Sequence, residues 1–258
     1  MYVTPGSTEP PAPARPGMTA DSRGVWLMGA DVDFARRVAR AGFDWVCLDT
    51  QHGAIDRASI VELGRTLGDL GANVVVRVPG VEQTAIGLAL DAGAAGVIVP
   101  SITCLDDARE VVRATYYPPL GERSWGPFAS LWGRQAPDAE SANAGVQCAV
   151  MIETAGALEE VEQIAALDGV SCLFLGPVDL SLALGRHLDD VLADRSPGAP
   201  IPRIVAAAAA SGRTVAAFAG DPSRVNALRA QGIRAIAVAT DIALTDLGAR
   251  AVLDLTAE

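Results

Sequence analysis

Four side chains able to do ionic chemistry stand at or just past the ends of apolar runs. His52 ends WVCLDTQH, Arg77 ends NVVVR, Glu153 ends CAVMIE and Asp179 ends LFLGPVD. Runs of this kind form buried strands, and the carboxyl ends of strands are where α/β proteins assemble their sites. An ionised group at such a tip is costly unless it pairs, binds metal or faces a cleft. Four of them, of different types, predict a polar active site built around a divalent cation.

The two acids end neighbouring strand units, so in a closed sheet their carboxylates are close enough to share one hard cation. Two carboxylates with several open positions suit Mg²⁺ or Mn²⁺ completed by water and substrate oxygens. The alternative is that each caps a helix, since Glu153 precedes Thr154 and Asp179 precedes LSLAL. His52 is one of two histidines. Asp49, three residues earlier, is placed to fix its tautomer and raise its basicity, as a carboxylate does for a catalytic imidazole. A histidine satisfied within its loop is the plainer alternative, and the strand tip and nearby acid count against it. His187, in GRHLDD, has no such setting and reads as a surface residue. Arg77 offers a planar fork to a carboxylate or a developing enolate oxygen. A buried pair with one of the acids is the other role open to it, and one site can use both.

These tips require a particular frame. Strand-like runs fall at Gly24–Met28, Asp44–Asp49, Asn73–Val78, Gly96–Pro100, Val146–Ile152, Val170–Leu175, Thr214–Ala219 and Ile233–Val238. Helical patterns alternate with them. Asp31 caps one that runs through Ala41 and is ended by Gly42, and others cover Ile55–Leu70, Glu82–Ala92 and Leu105–Ala114. Leu158, Val161, Ile164 and Leu167 form an apolar stripe at steps of three, fit to cover a sheet. A looser segment leads to a helix near Ile201–Ala210. Asp221-Pro222 then reads as a cap followed by proline at the first helical position, with Gly232 as the stop. Repeated βα units without hairpin signals imply an all-parallel sheet. Eight of them predict a single (β/α)8 barrel over residues 21–258, with an open doubly wound sheet as the alternative. The stretch Thr115–Ala144, rich in Pro, Gly, Trp and Ser, reads as one long loop, functional or disordered. Within it, Tyr116–Gly133, with Arg123, Ser124, Trp125 and Trp132, either shapes the site or contacts another subunit.

Bulk properties narrow the chemistry. The net charge of −11 argues against nucleic acid or an anionic membrane as partner. A metal and a local arginine still allow an anionic substrate in one cleft. No run approaches the ~20 apolar residues of a membrane span. The segment MYVTPGSTEPPAPARPG lacks the order of a signal peptide, so residues 1–20 are expected to be a disordered proline-rich tail and the location cytoplasmic. Cys47, Cys104, Cys148 and Cys172 are far apart and read as free thiols of a reducing compartment. No nucleotide-binding glycine motif is present. All 20 basic residues are arginine, which leaves no lysine for a Schiff-base mechanism.

The segments FDWVCLDTQHGAID, VVVRVPG, LALDAGAAGVIVP, YYPPLGERSWGP, MIETAGALEEVEQI and LFLGPVDLSLALG occur in that order. Together they resemble the HpcH/HpaI class II aldolases, metal-dependent pyruvate aldolases, over roughly Gly24 to Val238. The resemblance implies a barrel of the phosphoenolpyruvate/pyruvate-binding type in a hexamer, a trimer of dimers that exchange a C-terminal helix. It implies reversible cleavage of a 4-hydroxy-2-oxoacid to pyruvate, or a related 2-oxoacid, and an aldehyde through an enolate held at the metal. It assigns the metal to Glu153 and Asp179, with Co²⁺ or Zn²⁺ as further candidates beside Mg²⁺ and Mn²⁺. Arg77 matches the arginine that stabilises the enolate, and His52 the base, with Asp49 beside it. Asp91, in LDAGA, matches an acid that raises that histidine's basicity. Backbone N–H groups at Val178 and Asp179 match those that bind the substrate carboxylate. Two features depart from the pattern. Met151 stands where family members often carry a substrate-contacting Gln, and Arg186–Pro202 matches no familiar segment. A Claisen-type enolate transferase acting on a thioester, citrate-synthase-like or malyl-CoA-lyase-like, and a non-catalytic barrel are the competing functions. No CoA-binding feature speaks for the first, and the four intact side chains speak against the second.

Overall fold

The structure, a computed structural model, describes residues 17–19 and 21–256. Eight parallel strands close into a barrel in sequence order: β1 (Arg23–Leu27), β2 (Trp45–Asp49), β3 (Val74–Arg77), β4 (Gly96–Val99), β5 (Gln147–Ile152), β6 (Cys172–Leu175), β7 (Thr214–Phe218) and β8 (Ala235–Thr240). The open sheet is thereby ruled out. Helices α1 (Val32–Ala39), α2 (Arg57–Asp69), α3 (Gln83–Asp91) and α4 (Leu105–Thr115) return the chain between the first five strands. Asp31 starts α1 by accepting the Phe34 N–H at 2.8 Å, and Asp56 starts α2 by accepting that of Ser59 at 2.9 Å.

The interior is packed by size complementarity. Trp26, Trp45 and Phe174 are fully buried inside the barrel, and β7 and β8 face them with Ala216, Ala235 and Ala237. The Trp26 ring crosses the lumen to lie 5.7 Å from Phe174 and 4.8 Å from Phe218. Gly24 is required beside Trp45, whose ring lies 2.3 Å from where a Cβ would be. A second apolar shell between strands and helices includes Leu63, Leu67, Val111, Val161 and Ile164. The strands are buried on both faces, which is why they read as continuous apolar runs.

Several expectations are revised. The proline-rich segment falls mainly outside the described residues, but Met18 is fully buried under the barrel, and its N–H donates to Gln147 Oε1 at 2.8 Å. Residue 18 is thus packed against the barrel, and burying a methionine there contributes about 1.5–3 kcal/mol. The stretch 115–144 is not one loop: it holds a 3-10 helix at Phe128–Trp132 and α5 at Ala139–Gly145, capped by Asp138. The stripe after β5 is split at Glu160 into α6 (Ala155–Glu159) and α7 (Val161–Ala166). After β6 come α8 (Pro177–Ala183), α9 (Leu188–Ala193) and α10 (Pro200–Ala210). Asp221 caps a 3-10 turn at Pro222–Arg224 before α11 (Val225–Ala230). β8 starts at Ala235, later than the expected Ile233, and α12 (Asp241–Thr256) ends the described chain.

Candidate active site

Strand alternation decides which tips face inward. Trp45 and Cys47 point into the barrel, so Asp49 does too; Val75 does, so Arg77 does; Ala149 and Met151 do, so Glu153 does. Asp49 and Arg77 are also register partners across β2 and β3. The result is a two-pronged ion pair, Arg77 Nε to Asp49 Oδ1 at 3.0 Å and Nη2 to Oδ2 at 2.5 Å. Asp49 is fully buried and Arg77 is 8% exposed. Trp26 completes the clamp. Its Nε1–H donates to Asp49 Oδ2 at 3.0 Å, and its ring lies 5.0 Å from the Arg77 guanidinium carbon. Burial pushes the Asp49 carboxyl up, but the hydrogen bonds and charge of Arg77 outweigh it and hold the group below the ordinary carboxylate range.

This revises the role expected for Asp49. Its oxygens accept from Arg77, from Trp26 and from the backbone N–H groups of Gln51 and His52 at 3.0 and 3.1 Å. It therefore positions the peptide that carries His52 and the guanidinium of Arg77, not the tautomer of the imidazole. The reason is register: the side chain directly across from Asp49 on the next strand is Arg77.

Glu153 lies just past β5 and is 6% exposed. Its Oε1 accepts the Ser101 N–H at 2.7 Å, from a residue in the left-handed region at φ 58°. Its Oε2 fills the space over Gly176, where a Cβ would come within 2.5 Å. Burial pushes the Glu153 carboxyl above its ordinary value; the Asp179 charge adds to this, while Arg77 and His52 pull it back. All four groups stand at the carboxyl ends of strands, Arg77 ending β3, His52 past β2, Glu153 past β5 and Asp179 past β6. Neither acid is a plain cap. Thr154 caps α6 through its own hydroxyl, and α8 has Gly176 at its cap with Asp179 inside its first turn.

The donor chemistry fits a hard divalent cation. Glu153 just past β5 and Asp179 just past β6 follow adjacent strands, and the Arg77 charge near Glu153 already serves Asp49. Like charges converging in a half-buried site are relieved by a cation. Among the described residues no group of three or more His, Cys, Asp or Glu side chains is placed to hold a metal ion.

The remaining expected residues lie apart from this centre. Helix α3 returns antiparallel to β3 and carries its last residue, Asp91, toward the start of β4, away from the strand tips. There Asp91 accepts from Arg123 Nη2 at 2.7 Å, and Arg123 stacks 4.6 Å from the Tyr117 ring. Within one chain Asp91 is thus not a partner of His52. Ser124 belongs with it, lining a groove of about 460 Å³ on the outer face of α3 with Gln83 and Arg123. Trp125 is 55% exposed and packs on Tyr117. Met151 is buried beneath Glu153 and offers no polar contact; its sulfur lies 3.2 Å from the Cβ position of Gly176. Val178 is 41% exposed at the start of α8, with its backbone N–H in the first turn. His187 is exposed, as expected. Cys47, Cys148 and Cys172 are buried free thiols; burial pushes the latter two up to about 12 and keeps them inert. Trp26, Ser101 and Gly176 join the site without having stood out in the sequence. A tryptophan inside an apolar run and a serine on a loop carry no signal of their own.

Comparison with known proteins fits this geometry. The sequence profile of the HpcH/HpaI aldolase/citrate lyase family matches residues 22–245. A hydroxypyruvate/pyruvate aldolase of Paraburkholderia phytofirmans is 38% identical over 228 residues, 85% of this chain and 86% of that one. A 2-dehydro-3,6-dideoxy-6-sulfogluconate aldolase of Pseudomonas putida is 35% identical over 223 residues, covering 86% and 87%. The crystal structure of a family protein from Burkholderia cenocepacia superposes with a TM-score of 0.81 at 34% identity, covering 91% of this chain and 94% of that one. An eight-stranded barrel with two carboxylates, an arginine and a histidine at its mouth, matched by that profile over nearly its whole length, belongs to the HpcH/HpaI aldolase/citrate lyase family and is a carbon–carbon lyase.

Proposed function

We propose that this chain is a divalent-metal-dependent class II aldolase that cleaves a 4-hydroxy-2-oxoacid to pyruvate, or a closely related 2-oxoacid, and an aldehyde. The observation that carries the proposal is the placement of four groups at the carboxyl end of the barrel: Arg77 at the end of β3, Glu153 just past β5, Asp179 in the first turn after β6 and His52 in the loop after β2. A cation held by Glu153 and Asp179 supplies Lewis acidity to the 2-oxoacid. The Val178 and Asp179 N–H groups, unpaired in the first turn of α8, offer donors to its carboxylate.

Arg77 provides positive charge where the enolate oxygen develops. Asp49 takes its Nε and one Nη2 proton, so the guanidinium meets the substrate with the Nη1 edge and without having to reorganise. His52 removes the 4-hydroxyl proton as the C3–C4 bond breaks and returns it in the reverse direction. Electrons of the broken bond pass to the oxoacid half, whose C3 then takes a proton from solvent to complete pyruvate, and the former hydroxyl carbon leaves as the aldehyde. Cleavage of a panel of 4-hydroxy-2-oxoacids, followed by pyruvate release with and without Mg²⁺ or Mn²⁺, tests the proposal. Cation-dependent release is expected for at least one member, and release that survives chelation would contradict it.

A further inference from the structure

The loop that carries His52 is held at both ends, and its far end is tied to the first residue of α12. On the near side Thr50 N–H donates to Arg77 O at 2.9 Å, and Gln51 and His52 N–H donate to Asp49. On the far side Ala54 N–H donates to Met28 O at 2.7 Å. That carbonyl belongs to the Met28–Gly29 peptide, just past the tip of β1. The N–H of the same peptide, on Gly29, donates to Asp241 Oδ2 at 2.8 Å, and the Met28 N–H donates to the same oxygen at 2.9 Å.

A peptide unit is planar and rigid, so fixing its N–H fixes its C=O. The two donors on one carboxylate oxygen are charge-assisted and about twice as strong as neutral hydrogen bonds. Gly53 adds a steric constraint on the same peptide. A Cβ there would fall 2.7 Å from Met28 O and 2.3 Å from Asp49 O, so the loop is pressed onto both strand tips. Any tilt of the Met28–Gly29 plane therefore moves the backbone on the C-terminal side of His52.

We propose that Asp241 is a positioning residue for His52, acting through the Met28–Gly29 peptide and Ala54. The functional part of this inference rests on His52 being the base. With two histidines in the chain, the imidazole region of an NMR spectrum holds one reporter, His52, and one internal reference, the exposed His187. In the metal-free full chain, Asp241→Ala is expected to displace the His52 signal and leave that of His187 in place. In the Mg²⁺-loaded enzyme it is expected to lower kcat about tenfold, with KM for the oxoacid within about twofold. Asp241→Asn keeps an oxygen that can accept both N–H groups and is expected to move the signal less, at a cost of about threefold in kcat. It decides the matter should the alanine variant not fold. An unmoved His52 signal in a folded variant overturns the proposal. A displaced signal with unaltered kcat leaves the positioning link standing and overturns the assignment of His52 as base.

Discussion

At the level of single residues, Arg77 and His52 serve the same step of the proposed reaction but are built into the protein differently. Arg77 neutralises a carboxylate that has no water to fall back on. Removing it leaves Asp49 charged and buried, so Arg77→Ala is expected to lose about 3–5 kcal/mol of stability in urea melts as well as its activity. His52 acts on buried Glu153 only at a distance and forms no ion pair among the described residues, so His52→Ala is expected to lower turnover by about 10²–10⁴-fold with the melting curve nearly unchanged. Equal destabilisation of both variants would contradict the clamp. The Asp49 carboxyl lies below its unfolded value, so the pair contributes stability at all pH above that value and loses it as pH falls through the folded one. Acid unfolding of Asp49→Asn should therefore begin from a lower plateau and show a weaker dependence in that range. Glu153 has the opposite sign. Its carboxyl is raised, so the metal-free protein is more stable with it protonated and loses that contribution as pH rises through its folded value. Glu153→Gln should accordingly abolish cation-dependent turnover and yet melt no lower than the metal-free parent at neutral pH.

Among the elements, the site depends on which tips approach closely enough to exclude a side chain. Gly176 joins β6 to α8 directly over Glu153 Oε2. Gly176→Ala should push that carboxylate aside and weaken Mg²⁺ affinity by more than about tenfold, read by titration calorimetry, while the barrel's circular dichroism is unchanged. Unaltered affinity would place the cation elsewhere. The strand tips were legible in the sequence because a short apolar run that ends in a charge fits a buried strand opening onto a polar mouth and little else. Period-two alternation then tells which tips face inward. Register was not legible. Whether Asp49 faces His52 or Arg77 depends on how β2 lies against β3, and no local pattern in either strand reports that. The same holds for Asp91. Its role came from a resemblance alone, whereas the direction in which α3 returns carries it to Arg123. The helix near Ile201–Ala210 was legible and is α10, whereas α9 escaped the sequence reading because it is weakly patterned, and α12, beyond the last strand cue, was implied only by the resemblance.

Across the whole molecule, α12 leaves Ile242, Leu247, Val252, Leu253 and Leu255 more than half exposed. At 100° per residue these positions spread around the helix, so α12 carries uncovered apolar surface on several sides. We expect the chain to self-associate through it, consistent with the hexamer that the family resemblance implies. Leu253→Asp combined with Leu247→Asp should shift the mass seen by light scattering toward a smaller assembly, and an unchanged mass would assign association to another surface. Asp241 begins this helix and accepts from the Met28–Gly29 peptide against which the His52 loop is held, so the two regions meet at one residue. Every functional role assigned to the barrel mouth depends on one step, the formation of an enolate from a 2-oxoacid with the help of a cation. Metal-stripped protein incubated with pyruvate in D₂O, with the methyl signal followed by NMR, tests that step without knowledge of the aldehyde. Deuterium entry that appears on adding Mg²⁺ or Mn²⁺ and vanishes in Glu153→Gln is the predicted result. Absence of exchange with every divalent cation tried, with pyruvate and again with oxaloacetate, would contradict it.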